Sequence, residues 1–155
     1  MNVLKLIGRE KELFNEDISK NNRELSNIIA NSSFLVLGGA GSIGQTLSKE
    51  IFSRNPKKLH VVDISENNLV ELVRDIRSST GYIIGEFKTF SLDIGSIEFD
   101  RYLDSHGPFD FVFNLSALKH VRSESDIFTV MRMINVNILN TIKTIDHMIA
   151  MGVKK

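Results

Sequence analysis

The chain has no cysteine among its 155 residues, which excludes disulfides and thiolate metal sites and suits a reducing compartment. Its four histidines, at 60, 106, 120 and 147, form no close pair in sequence, so no metal-ligand spacing is present. There is no excess of charge either. Nineteen Lys plus Arg against 19 Asp plus Glu leave no net field to attract nucleic acid or an anionic membrane. No run approaches the ~18 apolar residues of a membrane span, and the N-terminus lacks the apolar core of a signal peptide. The expectation is a cytoplasmic protein. At 42% hydrophobic and 25% charged residues the composition is that of an ordinary soluble domain, long enough to bury a core without staples.

What the chain does have is an apolar run, Phe34-Leu35-Val36-Leu37, followed at once by Gly38-Gly39-Ala40-Gly41-Ser42-Ile43-Gly44. The run reads as a buried strand, and Ile43, Leu47 and Ile51, recurring every fourth residue, read as the helix that the glycines open. In a strand, tight turn and helix start of this kind, Gly38 permits the turn and Gly41 lets a pyrophosphate approach the backbone. Gly44 lets the helix lie close on the sheet, and the free amides around Ser42 and Ile43 favour the anion. A second strand from Lys58 to Val62 ends in Asp63, nineteen positions after Gly44, where a carboxylate can accept from an adenosine ribose. A triphosphate loop is the rival, since Gly39 to Thr46 nearly fits G-x-x-x-x-G-K-[ST]. Gln45, however, stands where that loop needs its lysine. In the bland alternative the glycines only shape a turn and Asp63 only caps the next helix, which would not require three glycines at this spacing.

Residues 1–32 are polar and helix-forming, with Leu13, Phe14, Ile18, Leu25, Ile28 and Ile29 on one side of one or two short helices, a helical N-terminal extension packing on the core or a neighbouring subunit. Residues 33–155 form the dinucleotide-binding domain. A helix over about 66–78, capped by Ser65 or Asp63 and broken by Gly81, carries Leu69, Leu72, Val73 and Ile76 on one face. A third strand is predicted over 87–92, a short helix around Ile97, Phe99 and Leu103, and a fourth strand over 109–115, apolar enough to be buried on both faces. A long helix over about 126–151 ends at Gly152. The alternation predicts an α/β, Rossmann-like, doubly wound parallel sheet, with Val153 and the two lysines after it read as the approach to a fifth strand before which the chain is truncated.

With the glycine turn, the string Val62-Asp63-Ile64-Ser65-Glu66-Asn67-Asn68-Leu69, and above all Asn114-Leu115-Ser116-Ala117-Leu118-Lys119-His120-Val121, residues 34 to 152 resemble the extended short-chain dehydrogenase/reductase superfamily. Within it the match is to the CapD-like polysaccharide biosynthesis family, which includes UDP-N-acetylglucosamine 4,6-dehydratases. The resemblance implies that Gly38, Gly41 and Gly44 hold the pyrophosphate, Asp63 the ribose, and Asp93 with Ile94 the adenine edge. Asn114, Ser116 and Ala117 would line the cofactor beside the nicotinamide ribose, Lys119 would face a sugar nucleotide, and Asn135 would be the helix asparagine that props the active-site strand. Asp93 as a simple helix cap and Lys119 as a solvated charge stand as the plainer readings, and His120 reads as a packing residue. The chain departs from the family pattern at Ser116, usually Ala, and at Ile138-Leu139, where the family has Gly-Thr.

The implied function is the cofactor-binding N-terminal portion of a nucleotide-sugar 4,6-dehydratase, a lyase using NAD rather than NADP. Its substrate would be UDP-linked, and the full-length protein a homo-oligomer. The family's Tyr-x-x-x-Lys pair has no counterpart in this sequence, no tyrosine following Tyr102, so the catalytic residues are expected beyond Lys155 and this chain alone is expected to be inactive. A nucleotide-sugar 4-epimerase or reductase, and a non-catalytic dinucleotide-binding module, are the alternatives.

Overall fold

The computed structural model describes residues 3–9, 13–119 and 126–154. Its centre is β1 (Ser33–Leu37), whose side chains alternate in direction, so that Phe34 and Val36 face one layer and Leu35 and Leu37 the other. All four are buried. β1 pairs in parallel with β2 (Lys58–Asp63) on one side and β4 (Phe111–Asn114) on the other, and β3 (Glu86–Ser91) extends the sheet beyond β2. The order β3-β2-β1-β4 is that of a doubly wound Rossmann-like half, with its reversal of strand order beside β1.

Helices cover both faces. α3 (Ser42–Ser53) and α4 (Glu66–Ser79) bury Ile51, Phe52, Leu69, Leu72 and Ile76 against Phe34, Val36 and Val61. On the other face α5 (Ile97–His106) contributes Phe99, Tyr102 and Leu103. After β4 the chain runs through α6 (Ile127–Ile134), a π-helical turn (Asn135–Leu139) and α7 (Asn140–Ala150), whose Met148 joins the second cluster. Each such fully buried side chain stabilises the fold by about 1.5–3 kcal/mol relative to leaving it in water. The predicted helix over 126–151 is thus one rod with a π turn inside it. Asp126 is its cap, accepting from the Thr129 amide, and Gly152 (φ 73) ends it, with the Val153 amide returning to the Met148 carbonyl.

Three expectations are corrected. Strand four is shorter than 109–115 and is buried on neither face along its length: among the described residues it pairs with β1 alone, which leaves Phe113 37% exposed. α1 (Val3–Leu6) and α2 (Asn15–Ala30) form in the N-terminal extension, and α2 packs on the core through Ile29, with Asn22 and Ser26 accepting from Arg54, but it buries no residue fully. Ile18, Leu25 and Ile28 instead line an apolar groove of about 890 Å³ with Phe34, Phe111 and Phe113.

The third correction concerns the histidines. His60 and His106, 46 positions apart, lie with ring centroids 5.5 Å apart, because β2 and the end of α5 meet over Phe90, Tyr102 and Phe109. His60 is fully buried, with Nδ1 2.8 Å from the Tyr102 hydroxyl and Nε2 2.5 Å from a Glu86 carboxylate oxygen. A neutral ring accepting from Tyr102 and donating to Glu86 satisfies both nitrogens, and burial pushes its pKa down to about 4. Both nitrogens being spent within the core, the pair makes no metal site.

Candidate functional site

At the end of β1 the backbone turns at Gly38, whose φ of 68 favours glycine and whose amide donates to the Val62 carbonyl at 2.8 Å. A Cβ there would lie 2.6 Å from the Ser116 amide nitrogen. At Gly44 a Cβ would lie 2.3 Å from the Gly38 carbonyl oxygen, so the glycine is what allows α3 to rest on the turn. Gly41 is different. A Cβ there would meet only the Gly38 oxygen, at an ordinary 3.4 Å, so internal packing does not require the glycine. Gly41 is also the N-cap of α3 and makes no side-chain cap, which leaves the first-turn amides of the helix for an anion. Gln45, in the place of a phosphate-loop lysine, braces the turn instead by donating to the Ala40 carbonyl at 2.8 Å.

Asp63 fastens this turn to β2. One carboxylate oxygen accepts from the Ala40 amide at 3.0 Å and the other from the Ser65 amide at 2.9 Å, while Ser65 itself caps α4 by accepting from Asn68. Between Ser65 and Asp63 as alternative caps, Ser65 is therefore the one used. Asp93 folds back to accept from the Gly95 amide at 2.8 Å, and the cap of α5 is Ser96, which accepts from Phe99.

These ends of β1, β2, β3 and β4 open on one cleft of about 290 Å³. Of the residues singled out in the sequence, Gly38, Gly41, Asp63, Asp93, Ile94, Ser116 and Ala117 line it. The others do not. Gly44 packs beneath the turn, and Ser42 and Ile43 lie on exposed backbone of the first helical turn. Asn114 shapes the end of β4, its side-chain oxygen accepting from the Ser116 amide at 3.1 Å and hydroxyl at 2.5 Å. Lys119 is exposed past the last lining residue of that loop, Leu118. His120 and Val121 lie outside the described residues.

The asparagine that ties the long helix to the β4 loop is Asn137 rather than Asn135. Its amide and carbonyl groups close a two-point contact with Leu118, accepting from the backbone N–H at 2.8 Å and donating to the C=O at 2.9 Å. Asn135 is exposed, although both asparagines lie in the π segment, which also holds Ile138-Leu139. Replacing Asn137 with Ala is expected to cost about 1–3 kcal/mol by leaving two partly buried backbone groups without partners. Thermal melting together with amide exchange at Leu118 checks it: the Leu118 amide should exchange at least about tenfold faster than in the parent.

Sequence reasoning gave no site role to Asn68, Leu118, Arg132 and Val136, which also line the cleft. Nothing local in the sequence marks Arg132 and Val136, which come from a helix that reaches the site only after the β4 crossover.

The comparisons with known proteins agree with this fold. The model of a family described as "Polysaccharide biosynthesis protein" matches residues 34–155. A Methanocaldococcus jannaschii protein described as an uncharacterized membrane protein is 34% identical over 99 residues, covering 64% of this chain and 27% of that protein. Among the described residues, no helix is long and apolar enough to cross a membrane. The structure of Pen from Bacillus thuringiensis superposes with a TM-score of 0.66 at 26% identity, over 80% of this chain and 36% of Pen. A short-chain type dehydrogenase/reductase from Mycobacterium ulcerans does so with a TM-score of 0.62 at 18% identity, over 77% of this chain and 46% of that one. A Haemophilus influenza protein described as a D-mannonate oxidoreductase, solved with bound NAD, shares the fold at a TM-score of 0.57 and 15% identity, over 75% of this chain and 50% of its own. The chain thus spans half or less of each of these relatives. On a fold of the short-chain dehydrogenase/reductase type, this chain belongs to the polysaccharide biosynthesis protein family.

Proposed function

We propose that the cleft binds NAD, and that the chain is the cofactor-binding portion of a nucleotide-sugar 4,6-dehydratase of the UDP-N-acetylglucosamine type. The observation that carries this is the meeting, in one cleft, of a glycine that packing does not require and a carboxylate at the tip of β2. A pyrophosphate would lie over Gly41 against the free amides of α3, where the helix dipole favours it. The Asp63 oxygens each spend one lone pair on a backbone amide and keep capacity for ribose hydroxyls. Ile94 would border the adenine, and Ser116 and Ala117 the nicotinamide ribose.

NAD bound here supplies a hydride acceptor, and later donor, for the hexose. The finer assignment rests on family membership and on the strand-end residues from Asn114 to Lys119, in which Lys119, exposed beyond the cleft lining, would face the nucleotide sugar. The share of this chain is positional: it orients the cofactor and holds the β4 loop through Asn137. Proton transfer would fall to residues outside it, so the chain alone is expected to make no 4-keto-6-deoxy product from UDP-N-acetylglucosamine. Detection of several turnovers by the purified chain would move the proton chemistry into positions 114–135.

Titration with both cofactors tests the binding step. A 2′-phosphate would lie ~4 Å from the Asp63 carboxylate, a repulsion of about 1–4 kcal/mol according to the local dielectric. No arginine follows Asp63 directly to relieve it, the next residues being Ile64 and Ser65. NAD is expected to bind at least about fivefold more tightly than NADP. Equal or tighter NADP binding would reverse the role given to Asp63, and binding of neither would remove the cofactor reading.

A further inference from the structure

We propose that Arg132 lays its guanidinium over the adenine ring of the bound dinucleotide; the proposal rests on the cofactor reading above. Arg132 is the one cation among the residues that line the cleft, and it shares that wall with Val136 one turn later. The same cleft is lined by the apolar side chains of Ile64, Leu92, Ile94 and Leu118, which suit a flat base more than a phosphate. Neither carboxylate of the lining pairs with it: Asp63 accepts from the Ala40 and Ser65 amides, and Asp93 from the Gly95 amide. Among the described residues Arg132 forms no ion pair.

A basic residue near a helix C-terminus commonly offsets the dipole, but that account fails here. α6 passes without a break through the π turn into α7, so its carbonyls are spent within a continuing helix and no terminal charge waits to be offset. The guanidinium is exposed, and is planar and weakly hydrated, which suits it to stacking on an aromatic face where an ammonium would not serve as well.

The test titrates the parent chain, Arg132→Ala and Arg132→Lys with NAD, AMP and nicotinamide mononucleotide. Arg132→Ala is expected to weaken NAD and AMP by about 3- to 30-fold while leaving nicotinamide mononucleotide unchanged. Arg132→Lys is expected to recover only a minor part of the loss, because the charge returns without the plane. Unchanged AMP affinity in Arg132→Ala, with the parent binding NAD, would overturn the inference and leave the cofactor reading intact. Full recovery by Lys with a steep salt dependence would also overturn it, assigning Arg132 to a phosphate. If the parent bound neither NAD nor AMP, the cofactor reading itself would fall, and this inference with it.

Discussion

Gly41→Val is expected to lose dinucleotide binding by roughly 10²- to 10⁴-fold while the fold melts close to the parent temperature. Two charge-assisted hydrogen bonds from helix-start amides to a pyrophosphate are worth about 1.5–3 kcal/mol each, and a branched side chain over those amides would forfeit both. The fold has little at stake at that position. A Cβ on Gly41 meets one atom, at 3.4 Å, and the backbone there is in the extended region that valine accepts, at φ −71 and ψ 170. Valine is a poor N-cap, so a loss of up to about 1 kcal/mol of stability is allowed for. The control is Gly44→Ala, in which a single methyl would sit 2.3 Å from the Gly38 oxygen, and which should lower the melting temperature whether or not cofactor is present. If Gly41→Val bound NAD with parental affinity, the pyrophosphate would have to lie elsewhere. If it failed to fold, the position would be structural after all.

Acid should unfold the chain in two stages, the first centred on His60. Burial holds that ring down to about 4 in the folded state, against an ordinary histidine value of 6.5. Between those pH values the unfolded chain binds a proton that the folded chain does not, so stability is fully present above about 6.5 and falls as pH drops toward 4. At about 1.4 kcal/mol per pH unit the loss is on the order of 3 kcal/mol, equivalent to roughly 6–12 °C in melting temperature. The second stage lies lower. Glu86 is held down to about 2 by its hydrogen bonds from Lys88 and His60, and Asp110 to about 2 by Lys154 and by the Ser33 amide and hydroxyl. Both carboxylates contribute stability above their ordinary range and lose it as pH falls through 2. Being partly exposed, they should contribute less per unit than His60. Melting curves from pH 7.5 to 3 check the sign, and His60→Gln, which retains hydrogen-bonding groups but cannot titrate, should flatten the profile between pH 6.5 and 4. A parent profile flat over that interval would mean that the ring is charged in the folded protein.

Much of the fold was written in short stretches. The Phe34–Leu37 run, the glycine spacing and Asp63 nineteen positions after Gly44 each act over distances that local chain geometry controls, and each appears where periodicity placed it, at the end of β1 and the tip of β2. The helix ends at Ser65, Asp126 and Gly152 were legible for the same reason: a cap is a bond between residues two to five apart. Tertiary structure alone decided matters that depend on elements far apart in sequence. That Gly38 and Gly44 are demanded by packing while Gly41 is not follows from how the β4 loop and α3 close on the turn. That Asn137 rather than Asn135 grips Leu118 depends on how the helix docks against the β4 loop, which no hydrophobic period reveals. Arg132 enters the cleft because the crossover after β4 returns its helix to the sheet's reversal point, and His60 meets His106 because parallel pairing sets β2 beside the end of α5. Propensity and spacing act within a turn or a strand. Which side chains share a site is set by strand order and by the packing of whole helices on the sheet.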